Sequence, residues 1–531
     1  MAQTNPTVGD IAGNAEKILR VWNDHKDLSD LIVFSELILS GYQPEDLVLH
    51  DHFIDYCMRI AHDIAQKTKD GPALIISSPW RDEDGDKHNT ALFVYEGGIK
   101  AALPKYELPN YGVFDEVRVF TKGELPHPVD YMGYKLGIGT CEDLWFPTVA
   151  KHLKDNGADI LISLNGSPFE VQKDKMRLDI IANRVKETDL PALYINQVGG
   201  QDEIVFDGGS FAMNADGEVI AHLPFFEEAI ETITSLSFRE SVSEPRNLRS
   251  LDYARDDNKL IYECLKLGLR DYVDKNGFPG VIIGSSGGID SALSAAIAVD
   301  ALGADRVQCV MMPSPYTSQD SLDDAKALSK NLGCHHSVLS IQSVMNAYHD
   351  LIPDMSEIAL ENIQSRARGV ALMAMSNTSG KMVLSTGNKS EMAVGYATLY
   401  GDMCGGYNAL KDVYKTTVYA LAKWRNEQSP VIPDNIINRP PSAELKPDQT
   451  DQDSLPDYDI LDKILEGFIE DRKSISQLVS EDIDEDTARK VRRLLDRSEY
   501  KRRQAPPGVK ISKHSFGRER RMPMTNHYDS A

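Results

Sequence analysis

Residues 280–302 read GVIIGSSGGIDSALSAAIAVDAL. GVIIG is a short apolar run that reads as a buried strand, and DSALSAAIAVDAL reads as a helix. Between them, Gly287 and Gly288 let backbone N–H groups approach a ligand, and the helix N-terminus adds partial positive charge. Ser286 and Ser291 add hydroxyl donors, so the turn is a cradle for phosphate or pyrophosphate. No Lys-Ser/Thr pair follows the glycines, so this is not the usual P-loop. Asp290 fits a ligand for Mg²⁺ carried on the phosphates. A strand–helix turn without a ligand is the bland alternative, which Gly-Gly alone would not exclude. Strand, glycine turn and helix together open a parallel α/β domain of the doubly wound kind.

Working outward, YARDDNKLIYECLKLGLRDYVDKNG (253–277) reads as a helix ended by Gly277, and a polar stretch after Glu231 reads as a linker. With 531 residues, 41% hydrophobic and 26% charged, two or three domains with real cores are expected. The expected boundaries are 1–235, a linker at 236–255, and 256–531. The first half alternates strands with helices. LIVFSEL, ALIISSP, TALFVYE, KLGIGTC, ADILISLN, PALYINQ and GSFAMNA are read as strands, and EDLVLHDHFIDYCMRIAHDIAQKT and QKDKMRLDIIANRVKET as helices. NRPPSAELKPDQTDQDSLPDY (438–458) has no period and reads as a mobile loop.

A net charge of -24 argues against a protein that coats nucleic acid. Against it, Arg489–Arg521 holds thirteen Lys/Arg and three Asp/Glu, a basic run that on charge alone is either a solvated tail or a local pocket. The six cysteines, 57, 141, 264, 309, 334 and 404, form no CxxC pair or metal spacing. Free thiols in a reduced chain, no signal peptide and no membrane-length apolar run lead to a cytoplasmic expectation with no membrane partner.

SGGIDS resembles the pyrophosphate loop of the ATP pyrophosphatases that make adenylates. MMPSPYTSQDSLDDAKALSKNLG (311–333), ENIQSRARG (361–369), STGNKSEMAVGYATLYGD (385–402) and KDVYKTTVYALA (411–422) are similar to the NAD synthetase branch of that group. The resemblance implies an ATP site of Gly284, Ser285, Ser286, Gly287, Gly288, Ile289, Asp290, Ser291, Thr386 and Lys415. It implies that Asn362, Arg366, Glu391, Asp402 and Lys510 contact nicotinic acid adenine dinucleotide (deamido-NAD) and that Asp290 and Glu391 hold Mg²⁺. Because a net-acidic protein must gather positive charge locally to hold a dinucleotide and ATP, the basic tail around Lys510 is expected to close over the site. ATP would adenylate the nicotinate carboxylate, releasing pyrophosphate into the loop, and ammonia would displace AMP.

In the first half, FSELILSGYQPEDL (34–47), LPKYELPNYGVFDE (103–116) and GIGTCEDLW (137–145) resemble the nitrilase-type glutaminase domain, an α-β-β-α sandwich. A lone cysteine is more often a buried small hydrophobe, and the surrounding strings are what change that reading. By this resemblance Glu36 is general base, Lys105 stabilises the oxyanion and Cys141 is nucleophile. Tyr111, Glu116, Trp145, Ser167 and Lys173 would line a glutamine pocket. Relatives place an apolar strand before a string like AQTNPTVGD, and here the chain begins at Met1 without it, so a weakened first sheet is expected.

The two halves thus resemble, in order, those of glutamine-dependent NAD synthetases, with glutamine, ATP and deamido-NAD as substrates and at least a dimer through the synthetase domain. Three alternatives are an ammonia-dependent synthetase with an inactive amidase domain, a non-enzymatic nucleotide sensor, and a ligase of another carboxylate such as GMP synthetase. Glu36, Lys105 and Cys141 argue against the first. Asp290, Glu391 and the glycine loop argue against the second, and ENIQSRARG and GNKSE against the third.

Overall fold

The computed structural model describes residues 1–234, 256–442, 444–446, 449–453 and 455–526. The chain divides into two compact units, Met1–Asp256 and Asp257–Ala531. The expected linker at 236–255 lies outside the described residues.

Unit 1 runs β1 (Ala2–Gln3), α1 (Ile11–His25), β2 (Leu31–Val33), α2 (Asp51–Lys67), β3 (Ala73–Arg81), β4 (Lys87–Tyr95), β5 (Gly98–Pro104), β6 (Val129–Tyr131), β7 (Tyr134–Thr140) and α3 (Pro147–Asp155). It continues with β8 (Ile160–Asn165), α4 (Lys173–Thr188), β9 (Ala192–Asn196), β10 (Val198–Gln201), β11 (Ile204–Asp207), β12 (Phe211–Met213), β13 (Val219–His222) and β14 (Ala229–Ile230). The main sheets are β2-β3-β4-β5 and β13-β12-β9-β8-β7-β6. Period-two alternation builds four layers from them. Leu74 and Ile76 face α1 and α2 in one cluster with Ile18, Trp22 and Ile64. Ala73 and Ile75, one residue out of phase, meet Ile138, Ile162 and Leu164 of the second sheet. Leu161 and Tyr194 turn outward onto Val149, Ile181 and Val185 of α3 and α4. The result is the expected α-β-β-α sandwich.

LIVFSEL departs from its reading as one strand. Ladder pairing stops at Val33, and Leu37 takes a left-handed φ of 45°. The chain leaves the sheet here, which places Glu36 at the strand's end rather than in its ladder. Ala2–Gln3 pairs antiparallel with Ala229–Ile230.

Unit 2 begins with α5 (Asp257–Lys275), β15 (Val281–Gly284), α6 (Ile289–Leu302), β16 (Val307–Met311), α7 (Gln319–Leu332), β17 (His335–Val338), α8 (Gln342–Leu351), α9 (Glu357–Ser379) and β18 (Met382–Ser385). Then come α10 (Lys389–Val394), β19 (Tyr407–Asn408), α11 (Lys415–Gln428), α12 (Asp434–Asn438) and α13 (Tyr458–Ile469). The strand order is β17-β16-β15-β18-β19, with every pair parallel. This is the doubly wound sheet read from GVIIGSSGGIDS. The order reverses between β15 and β18, and ligands of such sheets bind outside the carboxyl ends at that point.

Candidate active sites

In unit 1, three segments distant in sequence bring a carboxylate, an ammonium and a thiol into one buried array. Glu36 Oε1 accepts from Lys105 Nζ at 2.8 Å and from Asn89 Nδ2 at 2.7 Å, and its Oε2 accepts from Gly166 N at 2.9 Å. Lys105 Nζ also donates to Glu116 Oε1 at 3.0 Å, which accepts from the Tyr42 hydroxyl at 2.7 Å. Burial alone would lower the Lys105 pKa, but the charges of Glu116 and Glu36 outweigh it and hold it well above its ordinary value. Burial pushes the Glu116 carboxyl up to about 7, with Lys105 opposing and Glu36 adding.

Cys141 opens a single 3₁₀ turn, Cys141–Leu144, directly after β7, with a left-handed φ of 48°. Thr140 and Asp143 cap that turn reciprocally. Asp143 Oδ1 also accepts from Tyr106 N at 3.0 Å and Glu107 N at 2.8 Å, so it ties the segment after Lys105 to the cysteine turn. Burial and the charge of Glu36 push the Cys141 thiol well above its ordinary value, against the pull of Lys105. The Cys141 side chain therefore rests as a thiol, and a base would have to take its proton before it could act as a nucleophile.

The five residues expected around glutamine separate. Tyr111 is half exposed, and its hydroxyl donates to Glu142 Oε1 at 2.9 Å. Lys173 Nζ stands 6.0 Å from the Trp145 ring centroid and 5.8 Å from that of Phe114. Ser167 is buried; its Oγ accepts from Arg177 Nε at 3.0 Å. Glu116 lies deeper, on Lys105, as a second carboxylate of the buried array. The sequence reading missed Asn89, Tyr42, Glu142 and Asp143. The last two sit inside GIGTCEDLW, and their adjacency to Cys141 was the available signal.

In unit 2 a cavity of about 270 Å³ opens at the carboxyl ends of β15 and β18. Gly284 to Ser291, Thr386, Glu391, Asp402 and Lys415 all line it. Lys415 Nζ pairs with Asp290 and, at 3.1 Å, with Glu391 Oε1. Asn388 Nδ2 donates to the other Asp290 oxygen at 2.8 Å. The charges of Asp290 and Glu391 outweigh burial and raise the Lys415 pKa, while burial pushes Glu391 up to about 8. Asp402 accepts from Thr398 N at 2.7 Å, and burial raises its pKa. Asp290 and Glu391 offer hard carboxylate oxygens that fit Mg²⁺. Among the described residues no group of three or more His, Cys, Asp or Glu is arranged to hold a metal, so phosphate oxygens would complete such a site.

Asn362, Arg366 and Lys510 do not line this cavity. Asn362 Oδ1 accepts from Thr398 Oγ1 at 2.8 Å and Arg366 Nε donates to Leu399 O at 3.2 Å, so both hold the segment beside Asp402. Lys510 is buried, and its Nζ donates to Ser512 O at 2.6 Å. Two cavity cations escaped the sequence reading, Arg368 and Arg439. Arg439 Nη2 donates to Gly287 O at 3.1 Å and Ser321 Oγ at 2.9 Å. Glu444 accepts from Ser318 Oγ at 2.9 Å and Ser321 Oγ at 2.8 Å. The stretch read as a mobile loop is thus pinned across the glycine turn at these points.

The turn Asn388–Glu391 distributes its side chains to different partners. Asn388 reaches Asp290, Ser390 Oγ donates to Asp462, and Glu391 reaches Lys415. Lys389 is fully buried and points the other way. It pairs with Asp412 Oδ1 at 2.7 Å, Glu470 Oε1 at 2.6 Å and Ser512 Oγ at 2.6 Å. The same Asp412 carboxylate accepts from Ile511 N and Ser512 N. No residue of the basic run 489–521 lines the cavity, and several of its groups fasten the scaffold instead. Arg502 Nη1 donates to Ala393 O at 2.6 Å, and Lys501 Nζ to Gly395 O at 2.7 Å. Both satisfy carbonyls at the C-terminus of α10, which cations favour.

Comparison with known proteins places this geometry in context. The carbon-nitrogen hydrolase family matches residues 1–239 and the NAD synthase family residues 261–505. The glutamine-dependent NAD(+) synthetase of Acinetobacter baylyi is 44% identical over 536 residues, covering 99% of this chain and 98% of the relative. That of Rhodobacter capsulatus is 45% identical over 544 residues, with the same coverage. The solved structure of the Acinetobacter baumannii glutamine-dependent NAD+ synthetase, in complex with ADP, superposes with a TM-score of 0.76 at 40% identity, covering 100% of this chain and 99% of that one.

Proposed function

Since the chain belongs to the glutamine-dependent NAD(+) synthetases, we propose how its two sites divide the family's reaction. That reaction is the ATP-dependent amidation of deamido-NAD to NAD with ammonia taken from glutamine. It passes through an adenylated intermediate and releases AMP and pyrophosphate.

In unit 1, Glu36 takes the Cys141 proton and the thiolate attacks the glutamine amide carbon. Lys105, kept charged by two carboxylates, faces the oxyanion that develops. Glu36 returns that proton to the departing nitrogen, which leaves as ammonia, and the carboxylate so restored activates water to hydrolyse the thioester to glutamate. Tyr111, Trp145, Ser167 and Lys173 recognise the amino acid, and Glu116 holds Lys105. The Glu36–Lys105 contact carries this reading, because an inert scaffold gains nothing from burying a carboxylate on a lysine beside a thiol.

In unit 2, the N–H groups of the glycine turn and the hydroxyls of Ser286 and Ser291 hold the ATP phosphates. Lys415 neutralises charge as pyrophosphate departs, with Thr386 beside the nucleotide. Asp402 and Glu391 face deamido-NAD, with Asn362 and Arg366 supporting that wall. Asp290 and Glu391 would hold Mg²⁺, which supplies neutralisation of phosphate charge when bound. Excess EDTA should therefore abolish synthesis, and undiminished synthesis in EDTA would remove the metal from this account.

Exposed apolar side chains on α8 and α9, among them Tyr348, Leu351, Ile358 and Val370, fit a second copy of the chain. Sedimentation should give at least a dimer. No helix among the described residues is long and apolar enough to cross a membrane, and six unbridged cysteines fit the cytoplasm.

The test uses glutamine labelled with ¹⁵N in its side-chain amide, together with deamido-NAD and Mg-ATP. NAD should carry the label, with AMP, pyrophosphate and glutamate formed alongside it. Unlabelled NAD, or ADP in place of AMP, would refute the scheme.

A further inference from the structure

Four side chains outside both sites form a cluster that the synthetase reaction does not use. Cys309 points inward from the middle of β16, and Cys334 follows the Gly333 turn that ends α7. Their sulfurs lie 3.7 Å apart although the residues are 25 positions apart in sequence. Cys309 is buried and Cys334 partly exposed. The Cys334 thiol also lies 3.8 Å from Ser329 O. Ser329 Oγ is 3.1 Å from His336 Nδ1, and His336 sits directly across the ladder from Cys309. The hydrogen bond with Cys309 lowers the Cys334 pKa, with Ser329 helping, whereas the same contact and burial raise Cys309. Cys57 shows the contrast: a buried thiol with no cysteine neighbour, pushed up to about 12 by burial.

From this geometry we propose that Cys334 and Cys309 form an oxidisable dithiol, in which the partly exposed Cys334 reacts first with a small-molecule disulfide and buried Cys309 resolves it. Cys334 thiolate attacks one sulfur of a glutathione-type disulfide, forming a mixed disulfide and expelling one thiolate. Cys309 then attacks the Cys334 sulfur, forming the intrachain bridge and expelling the second thiol. Two protein thiols are oxidised and one external disulfide is reduced to two thiols. The sulfurs must approach by roughly 1.7 Å to reach bonding distance. The bridge would join β16 to the end of α7, and both elements also reach the cavity of unit 2, through Met311 at the carboxyl end of β16 and Ser321 in the first turn of α7.

The test treats native full-length protein with oxidised glutathione, quenches with an alkylating agent and maps the peptides by mass spectrometry. Wild type should yield a Cys309–Cys334 linked peptide. Cys309→Ser should accumulate glutathione on Cys334, because nothing resolves it. Cys334→Ser should leave Cys309 free. The proposal is overturned if wild-type Cys334 stays a free thiol, or holds glutathione without forming the link. It is equally overturned if Cys309 is glutathionylated in Cys334→Ser. The wild-type experiment decides alone should a variant fail to fold.

Discussion

Gly287→Ala probes the phosphate cradle at one atom. Gly287 has φ +80°, where a residue with a Cβ pays roughly 1–2 kcal/mol. The added carbon would lie 2.6 Å from Ser321 O and 2.8 Å from Ser321 Cα, both backbone atoms of the first turn of α7. Relieving that overlap means shifting α7 or the glycine turn, at roughly 1–3 kcal/mol. The strain acts on folding, whereas the overlap of about 1–3 kcal/mol acts on the cradle itself, and at about 1.4 kcal/mol per decade it corresponds to a loss of roughly 5-fold to 140-fold. The assay is NAD formation from deamido-NAD, Mg-ATP and ammonium, with basal glutamate release from glutamine measured in parallel. The first should collapse and the second should hold. Gly303→Ala is the control: φ is +85°, but nothing lies within 4 Å of the new carbon. It should lose stability from backbone strain and keep its ammonium-dependent rate. The reasoning fails if Gly287→Ala stays within threefold of wild type, or if Gly303→Ala loses as much.

The two sites should also separate by mutation. Cys141→Ala should lose synthesis from glutamine and keep it from ammonium, whereas Asp290→Ala should lose both; the steady-state rate with each nitrogen source reads this directly. Glu116, pushed up to about 7, should shape the pH profile of glutamine hydrolysis. Below that pH it takes a proton and releases part of its hold on Lys105, so kcat/KM should fall toward acid, and Glu116→Gln should remove the inflection near 7. An unchanged inflection in that variant would assign it to another group. Lys389→Met leaves Asp412 and Glu470 buried without their cation, at a cost of about 3–5 kcal/mol. Trypsin should then cut at Lys510 or Lys513 while wild type resists, and a protected tail would show that Lys389 does not hold it.

Where chemistry depends on neighbours in sequence, the chain was legible on its own. GSSGGIDS carries its glycines, hydroxyls and Asp290 in one turn, and strand–turn–helix patterning with 3.6 and 2 residue periods dictates the parallel sheet around it. Alternation likewise determined the sandwich, since Leu74 and Ile75 must face opposite ways on any strand. GIGTCEDLW and FSEL announced their residues, but neither string states that Glu36 and Lys105, 69 positions apart, touch. Tertiary packing decided that, and it also decided that Glu116 joins them. It placed Arg502 and Lys501 on carbonyls at the C-terminus of α10, where the helix end leaves acceptors to be satisfied. It set Arg439 over Gly287, which a lone arginine in a proline-rich stretch does not disclose. Lys389 reads as one more surface charge until Asp412, Glu470 and Ser512 close around it. Local spacing encodes local geometry, whereas a buried ion pair is made by residues whose separation in sequence carries no information about their distance in space.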